Sequence, residues 1–209
     1  MADNYLEKRF EEFRNPEKKV VRKGGPSLDS LLLRNRSTRG FSHGRKVSEE
    51  ELRKIVEVNT RIASSKNQQA LRFKIVCDAE GAALINAHIK IGALWPGLPL
   101  PGTEPQAFIV VYGTHAEDAS LDIDLGISLQ SMSLKAVEMG LNCLMIRAFN
   151  REAMLSFPGT EGLVPLAVLA VGKSAERIFL VPRAEGSQDY YRQEGIHYVP
   201  KLPLEKILV

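Results

Sequence analysis

Two cysteines, no long apolar run and little excess of charge set the first limits on this 209-residue sequence. Cys77 and Cys143 stand apart in apolar, strand-like stretches, where a cysteine behaves as a small buried hydrophobe. A disulfide framework is not expected, and a reducing compartment is. No stretch approaches the roughly 20 apolar residues of a membrane helix. The first 25 residues are charged throughout and contain no apolar segment that could serve as a signal peptide. The expectation is a cytoplasmic protein with no membrane partner. A net charge of +3 is small for a nucleic-acid binder, which shows a larger, clustered excess of Lys and Arg. No internal repeat or low-complexity segment interrupts the chain.

The motifs of side-chain catalysis are missing as well. There is no HExxH, no CxxC, no Gly-x-Ser-x-Gly elbow, and no GxGxxG or Walker-type loop. His43, His88, His115 and His197 are scattered, and none has a second ligand at metal spacing, so they read as structural or surface residues and no metal site is expected. Ser128 follows Gly126-Ile127 without the second glycine of an elbow and falls in a helix pattern, which makes it a packing residue. No catalytic side chain is expected.

What is present is enough apolar material, 44% of residues, for one domain. Residues 26–209 form its body. Residues 1–25 read as an arm whose Tyr5, Leu6, Phe10 and Phe13 lie near helical spacing. Ser27 is a good N-cap for a helix burying Leu28, Leu31 and Leu32, and Ser48 with Glu51 is a capping-box pattern for a second helix carrying Leu52, Ile55 and Val56. Strands are predicted at Leu71 to Cys77, Gln106 to Tyr112, Asn142 to Ile146 and Val164 to Val171, with short helices at Ala79 to Ile91 and Arg151 to Phe157. Gln106 to Tyr112 is continuously apolar, as a strand buried on both faces would be. Four prolines and two glycines make Trp95 to Pro105 an irregular loop. Asp122 to Leu141 carries two apolar stripes, one through Ile123, Ile127 and Leu134 and one through Leu125, Leu129 and Met132. Such a helix is buried or lies in a subunit interface. Ile196 to Val209 has mixed signals and no evident partner. Helices alternate with strands, so the class is α/β or α+β.

Two polar stretches stand out. Leu31 to Phe41 (LLLRNRSTRGF) sets Arg34, Arg36 and Arg39 around Ser37, and cations beside a hydroxyl suit a phosphate because charge-assisted hydrogen bonds are strong. Ala63 to Phe73 (ASSKNQQALRF) holds Ser64, Ser65, Asn67 and Gln69, which offer donors and acceptors together to a flat, polar-edged ring. The pair resembles the FMN-dependent nitroreductases, which open with an Arg-Arg-Ser-x-Arg-like segment and continue with Ser-Ser-x-Asn-x-Gln-Pro-Trp-x-Phe. Asn35, Ala70 and Leu71 depart from that pattern. The resemblance runs from about Pro26 to Val209.

This resemblance implies a central mixed sheet flanked by helices, an obligate homodimer built on the long central helix, and a C-terminal segment swapped onto the partner. It implies bound FMN, NADH or NADPH as electron donor, and a small nitroaromatic- or quinone-like acceptor. Arg36, Ser37 and Arg39 would meet the FMN phosphate and ribityl chain, or else be a solvated helix end. Ser64, Ser65, Asn67 and Gln69 would meet the ring edge or ribityl hydroxyls from the other subunit, or form an ordinary polar turn. Gly140 to Asn150 is similar to the family strand whose last amides point at the flavin N5, which places Arg147 and Ala148 beside the ring. Arg147 is itself a departure. It would favour reduced flavin, or point to solvent, or pair with Glu152. Lys201 in Lys-Leu-Pro-Leu-Glu looks like the family's terminal phosphate-reaching cation. Two other readings remain: a flavin storage or sensing protein without turnover, and a nucleic-acid module using the five basic residues of Arg34 to Lys46.

Overall fold

The computed structural model describes residues 24–92, 97–183 and 187–209. The helix expected in the arm lies outside them. Helix α1 (Leu28–Arg34) starts where Ser27 accepts the Ser30 N–H. Helix α2 (Glu49–Val56) has a complete capping box, with Ser48 and Glu51 each satisfying the other's backbone donor. Its Leu52 and Ile55 are fully buried. After a polar turn come strand β1 (Leu71–Val76) and helix α3 (Ala79–His88), then strand β2 (Ala107–Gly113) and the long helix α4 (Ala119–Glu138). Strand β3 (Asn142–Ile146), the single turn α5 (Arg151–Met154) and strand β4 (Val164–Gly172) follow. Three strands close the chain: β5 (Arg177–Pro182), β6 (Tyr191–Gln193) and β7 (Ile196–Lys201).

The main sheet has the order β1-β2-β4-β3, and every named pair in it is antiparallel. Its parallel element is a single bridge, Ser37 to Cys143, at the β3 edge. Strand β2 is buried at every position, as its unbroken apolar run requires. Alternation sends Ala107, Ile109 and Val111 to one face, where they meet Leu52, Ile55, Leu125, Leu129 and Met132 of α2 and α4. Phe108, Val110 and Tyr112 go to the other, against Ile85 of α3 and Met154 of α5. One layer of sheet is thus enclosed by two layers of helix. The register shifts between Val111 and Tyr112, and Pro165 of β4 stands opposite Tyr112 at this irregularity, the kind of position where a sheet tolerates proline.

Helix α4 ends in a Schellman turn: Gly140 has φ of +78°, and the Leu141 N–H reaches back to the Ala136 carbonyl at 2.8 Å. Its Leu125, Leu129, Met132 and Ala136 face the core, whereas Ile123 is 64% exposed and Ile127 38%. The stripe through Ile123 and Ile127 therefore faces outward at those two positions in the single chain.

Two expectations are corrected here. Helix α1 buries none of its residues; Leu28, Leu32 and Leu33 are exposed, because α2 and α4 already cover that face of the sheet and α1 rests on the outside of α4. The C-terminal strand is no orphan either. β7 pairs in parallel with β5 and antiparallel with β6, a second sheet made within the same chain. Beyond it, Leu204, Ile207 and Leu208 are apolar and exposed, as are Phe179 and Leu180 of β5.

Gly172, the last residue of β4, lies under the ring of buried Phe41. A Cβ there would come within 2.7 Å of Phe41 Cδ1. Gly172→Ala should push that ring from its seat and lower the unfolding free energy by about 1–3 kcal/mol, the usual effect of overpacking, read from urea melts.

Candidate functional site

Helix α1 stops at Arg34, and the chain runs on beside the β3 edge, where the Thr38 N–H donates to the Cys143 carbonyl at 3.1 Å. That contact fixes Ser37, Arg36 and Arg39 over the strand. The small sheet approaches from the opposite side. Alternation along β7 turns His197, Val199 and Lys201 to the same side as Ile178 of β5. Between the two lies a cavity of about 340 Å³, lined by Arg36, Ser37, Arg39 and Lys201, with Ser133 of α4, Cys143 of β3 and His197. The four residues assigned to a phosphate from the sequence are brought together, although Lys201 is far from the others along the chain.

The cradle is rich in cations. Arg36 turns one guanidinium nitrogen onto the Leu32 carbonyl at the end of α1, which favours a cation there. Its Nε is buried without a partner, and burial lowers its pKa. The Arg39 guanidinium sits 4.5 Å from the centre of the Tyr190 ring, and its Nη1 donates to the Ser37 carbonyl at 3.2 Å. Both the Arg39 backbone N–H and the Arg192 guanidinium donate to the carboxylate of Glu176, whose side chain is 8% exposed. Helix-end capping and availability to an anion coexist at Arg36. Cys143 takes no part in ionisation near neutrality, since burial pushes its thiol up to about 12. The donor set fits a phosphate monoester: guanidinium, ammonium and hydroxyl groups converge, and a buried donor is left over.

The second stretch is elsewhere in the single chain. Ser64 and Gln69 line a different cavity, of about 420 Å³, together with Asp124 of α4. The turn is strained, with left-handed φ of 49° at Lys66, 53° at Asn67 and 49° at Gln69. Asp124, only 5% exposed, holds it by accepting the Ser65 N–H at 2.8 and 3.1 Å. Ser64 Oγ accepts the Gln69 N–H, and Asn67 Oδ1 accepts from Gln69 Nε2, both at 3.2 Å. Strain of this kind persists where surrounding contacts over-determine it, commonly at functional sites. Asp124 escaped the sequence reading. Its signal was an acid on the buried stripe of an apolar helix.

Arg147 and Ala148 lie past the end of β3, on a third cavity with Ala87 to Lys90. Arg147 donates to Asp122 at 2.8 Å and to Glu117 at 2.5 Å, and Glu117 also binds Arg151. The Asp122 contact is the main reason its pKa is raised. Two cations and two carboxylates balance there: the Arg147 guanidinium is half exposed and pairs with Asp122 and Glu117 rather than with Glu152. Among the described residues no group of three or more His, Cys, Asp or Glu could hold a metal, and no helix is long and apolar enough to cross a membrane.

No sequence-family model matches the chain, and no curated protein sequence does. Solved structures do match in shape. A nitroreductase family protein of Clostridium difficile superposes with a TM-score of 0.61 at 23% identity, over 88% of this chain and 98% of that one. The fold is that of the nitroreductases. The FMN and NADPH-dependent nitroreductase NfnB from Sphigopyxis has this fold too, with a TM-score of 0.59 at 20% identity over 72% of this chain and 89% of its own. So has a Staphylococcus epidermidis protein assigned as an NAD(P)H:FMN oxidoreductase, with a TM-score of 0.62 at 17% identity over 92% and 98% of the two chains.

Beside the cradle, Glu176 accepts from both Arg39 and Arg192. Glu176→Gln should weaken the charged hydrogen bonds from Arg39 and Arg192 and destabilise the chain by about 1–3 kcal/mol in urea unfolding at pH 7.

Proposed function

We propose that this chain is an FMN-dependent oxidoreductase of the nitroreductase type, working as a homodimer. The observation that supports this best is the cradle itself. Arg36, Ser37, Arg39 and Lys201 come from opposite ends of the sequence to one cavity, on a fold whose solved examples include FMN-dependent enzymes.

The chain's own residues would divide the task of holding the cofactor. Arg36, Arg39 and Lys201 would hold the phosphate by charge-assisted hydrogen bonds, and Ser37 would add a neutral donor. Ser64, Ser65, Asn67 and Gln69 would reach the ring edge or ribityl hydroxyls of the cofactor seated in the other subunit, their turn fixed by Asp124 in advance of binding. Ala148, at the end of β3, would offer its backbone beside the ring. When bound, FMN would supply the redox chemistry, accepting reducing equivalents from NADH or NADPH and passing them in a ping-pong sequence to a small nitroaromatic- or quinone-like acceptor. The protein then supplies position and electrostatics rather than a catalytic side chain.

Exposed apolar residues support the dimer. Ile123 and Ile127 on α4, and Leu28, Leu32 and Leu33 on the adjacent α1, form the kind of outward face that a partner covers. Leu204, Ile207 and Leu208 would be the segment that crosses to it.

The visible absorption spectrum of the purified protein, repeated after NADH or NADPH is added without oxygen, tests the reading. A flavin spectrum that bleaches is the expected result. A flavin that stays oxidised would indicate storage or sensing, and a chain that ignores added FMN would end the flavin reading. Charged hydrogen bonds contribute roughly 1.5–3 kcal/mol each, so Arg39→Ala should weaken FMN binding about ten- to a hundredfold in a fluorescence titration.

A further inference from the structure

We infer that His197 is the proton-binding ligand of the cradle: a neutral imidazole in the free protein that takes up a proton when a phosphate monoester dianion binds. The inference rests on the flavin reading above and adds to it a residue and a pH dependence.

Four observations carry it. His197 lines the same cavity as Arg36, Ser37, Arg39 and Lys201. Its side chain is 1% exposed, yet neither Nδ1 nor Nε2 has a hydrogen-bond partner. An imidazole always carries at least one N–H, and a buried donor without a partner is destabilising, so such groups call for an explanation. Arg36 Nε, on the same cavity, is buried and unpartnered too. Donors without acceptors on one cavity are what an absent acceptor would satisfy. The ring is also held in place: Tyr190 packs against it with centroids 5.0 Å apart, and the Arg39 guanidinium lies 4.5 Å from the centre of that same Tyr190 ring.

The charged surroundings fix the direction of the effect. Arg39 comes from the segment after α1, Arg192 faces His197 across the β6–β7 pair, and Lys201 lies further along β7. Glu176 before β5 is the opposing charge, already engaged by Arg39 and Arg192. Cys143 of β3 carries no charge near neutral pH, because burial pushes its thiol up. Burial first, and the nearby Arg39 and Arg192 next, lower the His197 pKa, with Glu176 acting the other way. The imidazole is therefore neutral at pH 7 in the free protein. A bound dianion reverses the local field and favours imidazolium. Below the pKa of the complex and above that of the free chain, binding takes up a proton, so affinity rises as pH falls through that window.

The test compares FMN with riboflavin, which has the same ring and ribityl chain but no phosphate. Calorimetric titrations of the full chain at pH 7.5, in two buffers of different ionisation enthalpy, count the protons exchanged. At that pH the flavin phosphate is already dianionic, its second pKa being about 6. FMN should bring about net proton uptake and riboflavin none. Between pH 8 and pH 6.5 the FMN dissociation constant should tighten by about three- to tenfold, and in His197→Gln and His197→Asn it should stay flat within about twofold. Unchanged riboflavin affinity in those variants shows that they fold. FMN binding with no proton uptake, or with the same uptake for riboflavin or in the variants, would overturn the inference and leave the flavin reading standing. Failure of the unaltered chain to bind either flavin would end both.

Discussion

A strand with no solvent face governs this structure. Strand β2 is buried throughout, and β4 beside it is buried at all positions but its first, so the middle of the sheet can carry only apolar side chains. Polar chemistry is pushed to the β3 edge, to the turns and to α4. The cradle sits at that edge, where the segment after α1 adds one parallel bridge to β3 and the small sheet folds over it. The strained turn sits at the other end of α4. Neither could occupy the centre without breaking the alternation that binds both helical layers.

Electrostatics then divides the periphery into unlike halves. Around the cradle stand Arg36, Arg39, Arg192 and Lys201, and Glu176, already engaged by Arg39 and Arg192, is the carboxylate seen beside them among the described residues. Beyond β3, Arg147 and Arg151 are met by Glu117 and Asp122. The first group leaves charge and donors free for an anion; the second satisfies itself. Partial burial makes the difference matter, because unbalanced charge is tolerable only where something answers it.

Much of this was legible in the sequence because it depends on local rules. The capping box at Ser48, the doubly buried β2 and the glycine stop at Gly140 each follow from a few adjacent residues. Arg36, Ser37 and Arg39 were legible for the same reason, and Lys201 only through resemblance. Three features depended on what the chain meets at a distance. Helix α1 has the pattern of a buried helix, yet the sheet face was already taken. The β5–β7 pairing is parallel, and parallel partners leave no turn signal between them. His197 looked like any scattered histidine, since its significance lies in lacking a partner, and partners are a tertiary property.

Helix α4 acts as a gauge between the two polar sites, and this bears on how the sequence can change. Asp124, which holds the strained turn, and Ser133, which lines the cradle, are nine residues apart on it. At about 1.5 Å and 100° per residue, that is about 13.5 Å of rise and two and a half turns, which places them on opposite sides of the helix. A substitution on its outer face leaves both the distance and the phase intact. Inserting or deleting one residue between them would rotate one site by about 100° against the other while each stayed locally well formed. Divergence in this region is therefore open to replacement and closed to changes of length.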